Sequence, residues 1–505
     1  MAGNLDAIDH IVLLMLENRS FDHMLGYLYA GQNNRSPLGH PFEGLTGNES
    51  NVDSNGTPVP VFPITAATPN AYRMPGVNPG ESYIRRTTQL FNTTVKNIPT
   101  KPPAPDKCNI GYVIDFEARV KAAKAASATA AKKQYFDPDT QPSAIMGCFS
   151  PEMLPVLSGL ARGYAVCDHW FSSVPSETMP NRAFALAGTS LGTVDDSFVE
   201  PPTYPTYNTP SIFGRLADAG KQWRIYACGT DLTKDNFPDT YGDDQLWRCQ
   251  KITDFKNAAR NGTLPEFCLI EPAWGSTGQN DQHPVSDVSA GEQLISDVYD
   301  ALRNGPDWNS TLLIVTYDEP GGCYDHVAPP WGPNVVAPDG KRDPKTKFAF
   351  NRLGPRVPAV LVSPLIRAGT VFRVPDDGAP LEHTAILKLI ETRWGLKSLS
   401  ARDEAAPDLS PVLTLSTPRT DDPLAGVQVP HDDGPNPSAS DVTGLQELQA
   451  DNLEAHPNLK NSDVVKETRP TDGVEFDNYL RTLNKHSRTA PAAPAPRHGK
   501  RKRVN

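Results

Sequence analysis

The chain has 505 residues, 38% of them hydrophobic, enough to bury a large core, and its 50 Pro and 37 Gly put much of it in loops. A formal net charge of −11 disfavours a nucleic-acid binder, because a polyanion repels an acidic surface, and the one basic run, residues 500–503, reads as a solvated tail. No signal peptide is visible, the apolar run at 11–16 is far too short to span a membrane, and the seven cysteines contain no CxxC pair that would suggest a structural zinc site.

In chain order, residues 11–16 predict a buried strand followed by Glu17-Asn18. Residues 30–145 are rich in Asn, Pro, Thr and Gly, with an Ala/Lys helix near 118–133, and read as an insertion bordering a site. Ser150-Pro151-Glu152 predicts a helix start leading into Leu154, Leu157 and Leu160. Further strands are predicted at 164–167, followed by Asp168-His169, at 223–226, at 267–270 before Glu271, at 312–317 before Asp318-Glu319, and at 357–362. Helices are predicted at 181–187, after Thr209-Pro210, over 287–303 with Leu294, Ile295, Val298 and Leu302 on one face, and after His383. Residues 397–484 are polar and Pro-rich, with a short helix near 445–452, and 485–505 read as a disordered basic tail. Strands alternating with helices predict one α/β domain over 5–396, a doubly wound, mainly parallel sheet with helices on both faces. In such sheets the active site lies at the carboxyl ends of the strands.

Glu17-Asn18 and Asp318-Glu319 fall at such ends. Either pair alone is an ordinary solvated strand end; three acids packed together would repel unless a cation stood among them. All-oxygen donors favour Ca²⁺, Mg²⁺ or Mn²⁺, and Zn²⁺ also takes carboxylates. Thr178, in the loop 174–182 just before a helix, is by itself an ordinary cap. Beside a metal its hydroxyl would become a nucleophile, with helix N–H groups favouring a phosphate and Asn181 donating to a phosphoryl oxygen. His283, His326 and His383 could stabilise phosphoryl charge or protonate a leaving oxygen.

At these residues the sequence resembles the bacterial phosphoesterase family, which holds phospholipases C and the acid phosphatase A group and has the alkaline-phosphatase-like fold. Residues 8–12 with Glu17-Asn18-Arg19-Ser20-Phe21-Asp22-His23 resemble its opening signature, Thr178-Met179-Pro180-Asn181-Arg182 its nucleophile loop, and 316–322 with Asp325-His326-Val327 its third motif. Asp281-Gln282-His283-Pro284, Asp287, Gly291 and His383-Thr384 also match. The resemblance implies that Glu17, Asn18, Thr178, Asp318 and Glu319 bind one metal, that a phosphothreonine intermediate forms, and that His283 and His326 bind phosphate or act as acid. It implies a phosphate-ester or phospholipid substrate with transient contact at a membrane surface. Ser176-Glu177 stands where many relatives have Gly-Pro, and Met179 where many have His or Asp, which leaves substrate preference open. Most relatives are exported.

Three rivals remain. A strict phosphomonoesterase differs from a phospholipase in groups that the insertion 30–145 would build. Gly188-Thr189-Ser190-Leu191-Gly192 matches the G-x-S-x-G pattern of a serine hydrolase, but that elbow needs a strand before it. A non-catalytic binding protein would not need all five ligands.

Overall fold

Six residues of unbroken Ile, Val, Leu and Met, preceded by His10, form the first strand of the central sheet, β1 (His10–Leu16), and from Ile11 onward both faces of it are buried. A continuous apolar run is what a strand covered by helices on both sides requires. The computed structural model describes residues 4–487 apart from 128–136, 197–205, 231, 235, 241–244, 275–277, 433–441, 443, 457, 460–461 and 466–467. The basic run 500–503 and the end of the Ala/Lys segment at 118–133 therefore lie outside the described residues.

Seven further strands complete the sheet: β2 (Ala165–Val166), β3 (Trp223–Ala227), β4 (Cys249–Lys251), β5 (Phe267–Glu271), β6 (Thr311–Tyr317), β7 (Ala359–Val362) and β8 (Thr370–Val371). Their order is β8-β2-β7-β6-β1-β5-β3-β4. Every pairing is parallel except the two made by β7, which runs against both β6 and β2. The predicted α/β sheet is thus present, mainly parallel, with one reversed strand. Helices Val288–Arg303, capped by the Asp287 carboxylate on Ser289 N, and Thr384–Trp394, with His383 at its N-cap position, fall where the apolar periodicity puts them.

Several helix starts differ from the sequence reading: the helix expected from Thr209-Pro210 begins at Ile212, and the Ala/Lys helix expected near 118 begins at Tyr112. The helix expected from Ser150 begins at Pro155, which takes the first-turn position that Pro151 was expected to hold. The helix expected from Asn181 begins at Thr178 and runs to Ala187, ending on Gly188 in the left-handed conformation (φ 70°). Thr178 is therefore the first helical residue rather than a loop residue.

The insertion carries its own helices, Tyr83–Phe91 and Tyr112–Ser127, and a second core of Tyr112, Val113, Phe116, Ile145, Met146 and Tyr324. In the C-terminal region, helix Gly444–Glu454 packs on Gly473–Ser487 around Leu453, Phe476, Tyr479 and Leu483. Gln449 Nε2 and Lys234 Nζ join this pair to the segment after β3, bonding Thr230 O and Asn484 Oδ1. Residues 473–487 were not foreseen as a helix, and they extend past the expected start of the tail at 485. Among the described residues no helix is long and apolar enough to cross a membrane.

Candidate active site

The register of β1 and β6 builds the centre of the site. Leu16 pairs with Tyr317 in parallel, so Glu17 and Asp318 emerge side by side from adjacent strands. The chain then turns at Asn18, which adopts φ 53°, a conformation Asn tolerates better than most residues. Asp318 Oδ1 accepts from Asn18 N at 3.0 Å and Glu319 N at 2.7 Å, tying the two turns together. Gly321 (φ 60°) is needed beside them: a Cβ there would stand 1.9 Å from Asn18 O.

Thr178 Oγ1 lies 3.2 Å from Glu17 Oε2 and 3.3 Å from Asn18 Oδ1. A hydroxyl has one proton and can donate to only one of two acceptors at a time, so three oxygens meet here around one hydrogen. One helical turn on, Arg182 places its guanidinium between the acids: Nη2 and Nε reach Glu17 Oε1 at 2.7 and 3.1 Å, and Nε reaches Asp318 Oδ2 at 3.1 Å. Arg182 also donates to the carbonyls of Met15 and Leu16 and stacks 4.6 Å from the Trp274 ring centre. Nothing in the local sequence assigns Arg182 this role except its i, i+4 spacing from Thr178.

The insertion reaches the same place. Arg86 Nη2, from helix Tyr83–Phe91, pairs with Glu319 Oε2 at 2.7 Å, both fully buried. Glu81 accepts from Asn18 Nδ2, which fixes Asn18 Oδ1 toward Thr178, and its Oε2 stands 3.6 Å from His283 Nε2. Neither Glu81 nor Arg86 was singled out from sequence, because nothing local marks a polar residue in a long insertion as a site residue.

Charge is concentrated enough to move ionisation. Burial first, then the neighbouring Asp318 charge, push Glu17 well above the usual carboxylate range against the pull of Arg182. Burial likewise raises Glu319 against Arg86. Burial opposes ionisation of Glu81, but the bond and charge of His283 outweigh it and its pKa is lowered.

Among the described residues no group of three or more His, Cys, Asp or Glu is arranged to hold a metal ion by itself. Arg182 occupies one oxygen of Glu17 and one of Asp318, and both Asp318 oxygens are already bonded. What remains is Glu17 Oε2, Asn18 Oδ1, Thr178 Oγ1 and a buried Glu319 Oε1 with no hydrogen-bond partner. These are all oxygen donors, one of them an orphaned carboxylate oxygen, the kind that fits a hard cation.

The other predicted residues divide. Asn181 is not available to a phosphoryl group: its Nδ2 donates to the carbonyls of Val174, Ser176 and Glu177, and its Oδ1 accepts from Val174 N, so it braces the loop. The helix N–H groups are also mostly committed, since Met179 N donates to Asp196 Oδ1 and Pro180 has none. His383 is fully buried; Trp170 Nε1 donates to its Nδ1 and its Nε2 donates to Asp318 O at 2.6 Å. It positions the Asp318 turn. His283 turns Nδ1 to Pro284 O at 2.5 Å and Nε2 toward Glu81. His326 Nδ1 meets Asp22 Oδ2 at 2.6 Å, and among the described residues its Nε2 has no protein hydrogen bond.

Other strand-end acids are structural. Glu271 accepts from Leu232 N and Thr233 N, and Asp168 holds Arg373 through both oxygens. Ser190 follows a helix rather than a strand, and its hydroxyl donates to Thr193 O at 2.7 Å. Ser190→Ala should leave turnover unchanged and cost about 1 kcal/mol in stability, checked by steady-state assay and urea unfolding. Cys228 is a thiol whose pKa burial pushes up to about 11.

The Phosphoesterase family model matches residues 8–397. The chain is 33% identical over 467 residues to non-specific phospholipase C3 of Arabidopsis thaliana, covering 87% of this chain and 80% of that protein. It is 28% identical over 464 residues to phospholipase C B of Mycobacterium tuberculosis, covering 82% and 79%. A solved protein in the alkaline phosphatase superfamily from Vibrio parahaemolyticus is similar with a TM-score of 0.32 at 12% identity, covering 59% of this chain and 79% of that one. From the extent of the family match and of the plant relative, the chain belongs to the Phosphoesterase family and is a hydrolase acting on phosphoric ester bonds.

Proposed function

We propose that the protein is a metal-dependent phospholipase C that cleaves the phosphodiester of a phospholipid through a covalent intermediate on Thr178. The observation that carries this reading is the Thr178 hydroxyl set against Glu17 Oε2 and Asn18 Oδ1 at the end of β1, with an unpartnered Glu319 oxygen buried beside Asp318. The phospholipase names of relatives at 28% and 33% identity support the substrate class.

Glu17, Asn18, Thr178, Glu319 and, with least free capacity, Asp318 would hold one divalent cation, Ca²⁺, Mg²⁺ or Mn²⁺ in preference to Zn²⁺. When bound, such a cation lowers the pKa of the threonine hydroxyl and offsets charge on the phosphoryl oxygens. The chain's own residues do the rest. Thr178 Oγ attacks phosphorus, its proton leaving along the hydrogen bond to Glu17. The bond from phosphorus to the diacylglycerol oxygen breaks, and His326 Nε2 supplies a proton to that oxygen. Water then cleaves the phosphoryl–threonine ester, releasing the phosphorylated headgroup. His283, its imidazolium favoured by Glu81 and Asp281 over the opposing effect of burial, adds positive charge at the phosphate.

Assay of phosphatidylcholine beside p-nitrophenyl phosphate tests the reading. Release of diacylglycerol and phosphocholine at a kcat/KM well above that for the monoester is expected, lost on chelation and restored by Ca²⁺, Mg²⁺ or Mn²⁺. Hydrolysis of the monoester alone would make the enzyme a phosphomonoesterase instead.

A further inference from the structure

His326 sits in the third sequence motif, and the residue that orients it comes from the first. Asp22 lies in the short helix Phe21–Leu25, whose N-cap Ser20 accepts from His23 N. A single oxygen of Asp22, Oδ2, accepts from the His326 backbone N at 2.7 Å and meets the His326 ring Nδ1 at 2.6 Å. Two bonds from one residue to one oxygen fix both the backbone and the ring. The other oxygen, Oδ1, accepts from Arg356 Nη2 at 2.8 Å, and Asp22 is fully buried. Arg356 is in turn held by Asp325 and by the carbonyls of Glu43 and Asp168, and lies 4.5 Å from the Phe21 ring centre. The carboxylate is therefore anchored in the core rather than swinging in solvent.

We propose that Asp22 is the positioning residue of the reaction: it fixes His326 with Nδ1–H committed and Nε2 open, so that the proton delivered to the leaving oxygen comes from Nε2. This rests on the reading of His326 as the acid. The logic is that of any imidazole oriented by a buried acceptor: the carboxylate sets the tautomer and stabilises the imidazolium. The charged groups facing His326 are Asp22, Asp325 and Arg356. Burial lowers its pKa, but the Asp22 charge and bond outweigh burial and Arg356, and the pKa is raised.

The test is Asp22→Asn in the full-length, metal-loaded enzyme with two phosphocholine esters, one of p-nitrophenol and one of a simple alcohol. The amide keeps the shape, removes the charge and offers an N–H to Nδ1, favouring the wrong tautomer. A p-nitrophenolate leaves without a proton; an alkoxide does not. Turnover of the alkyl ester should fall by about 10² to 10⁴, with the nitrophenyl ester far less affected. The alkaline limb of kcat/KM should move to lower pH by about one to three units, because the imidazolium loses its counter-charge. Equal losses on both esters, or an unmoved limb, would overturn the role of Asp22. His326→Gln separates the two levels: if it loses both esters equally, the acid itself is misassigned and the Asp22 proposal falls with it; if it spares the nitrophenyl ester while Asp22→Asn does not, only Asp22 fails. Should Asp22→Asn not fold, ¹⁵N NMR of histidine-labelled wild type decides, with the His326 signals identified by their loss in His326→Gln. The neutral ring should carry its proton on Nδ1; a proton on Nε2 would overturn the proposal.

Discussion

Thr178→Val should lower turnover by about a thousandfold or more while leaving the fold intact. Valine keeps the β-branched shape of threonine without its hydroxyl, so a side chain buried at the start of helix Thr178–Ala187 is replaced without a cavity. What is lost is the oxygen that stands 3.2 Å from Glu17 Oε2 and 3.3 Å from Asn18 Oδ1. The stability cost is that of one hydrogen bond, about 1 kcal/mol, visible as a small change in the urea midpoint. Thr178→Ser restores an attacking oxygen and should recover part of the rate. A valine variant that turns over at the wild-type rate would mean that a different atom attacks phosphorus.

Arg182→Gln has the next largest effect, on stability as well as on rate. Arg182 neutralises Glu17 and Asp318 where neither can reach bulk water, and it ties the first turn of the nucleophile helix to the ends of β1 and β6. Removing one partner of a buried pair strands the other charge, which costs about 3–5 kcal/mol. Guanidinium chloride unfolding of metal-free protein should show that loss. Arg182→Lys keeps the charge but lacks the fork that spans two carboxylates and two carbonyls, so it should recover only part. A loss below about 1 kcal/mol for Arg182→Gln would show that these acids are not ionised against it.

The fold was legible because the central strands β1, β5, β6 and β7 each carry an unbroken apolar run of four residues or more, and a run covered on both faces needs no context to be read. The two-residue strand β8 was missed because so short a segment has no periodicity to detect, and the reversal of β7 was invisible because direction leaves no trace in composition. At the site, Glu17, Asn18, Asp318 and Glu319 could be named because they follow readable strands, and Thr178 because a helix follows it. Asn181 was misjudged for a physical reason: an amide beside a nucleophile looks like a donor to substrate, whereas three loop carbonyls compete for its protons. Glu81, Arg86, Asp22 and Arg356 come from segments far apart in sequence, and only tertiary structure brings their charges to the acids and histidines they hold.

The central claim, that Thr178 becomes the covalent carrier of phosphorus, is tested most directly by quenching the metal-loaded enzyme in neutral SDS with chelator, where phosphothreonine and phosphohistidine both survive, during turnover of p-nitrophenyl phosphate and mapping the modified peptide by mass spectrometry. The account predicts a phosphoryl group on Thr178 that appears with the burst of nitrophenolate and is absent from Thr178→Val. Phosphate found on His283 or His326, or a burst with Thr178 unmodified, would contradict it.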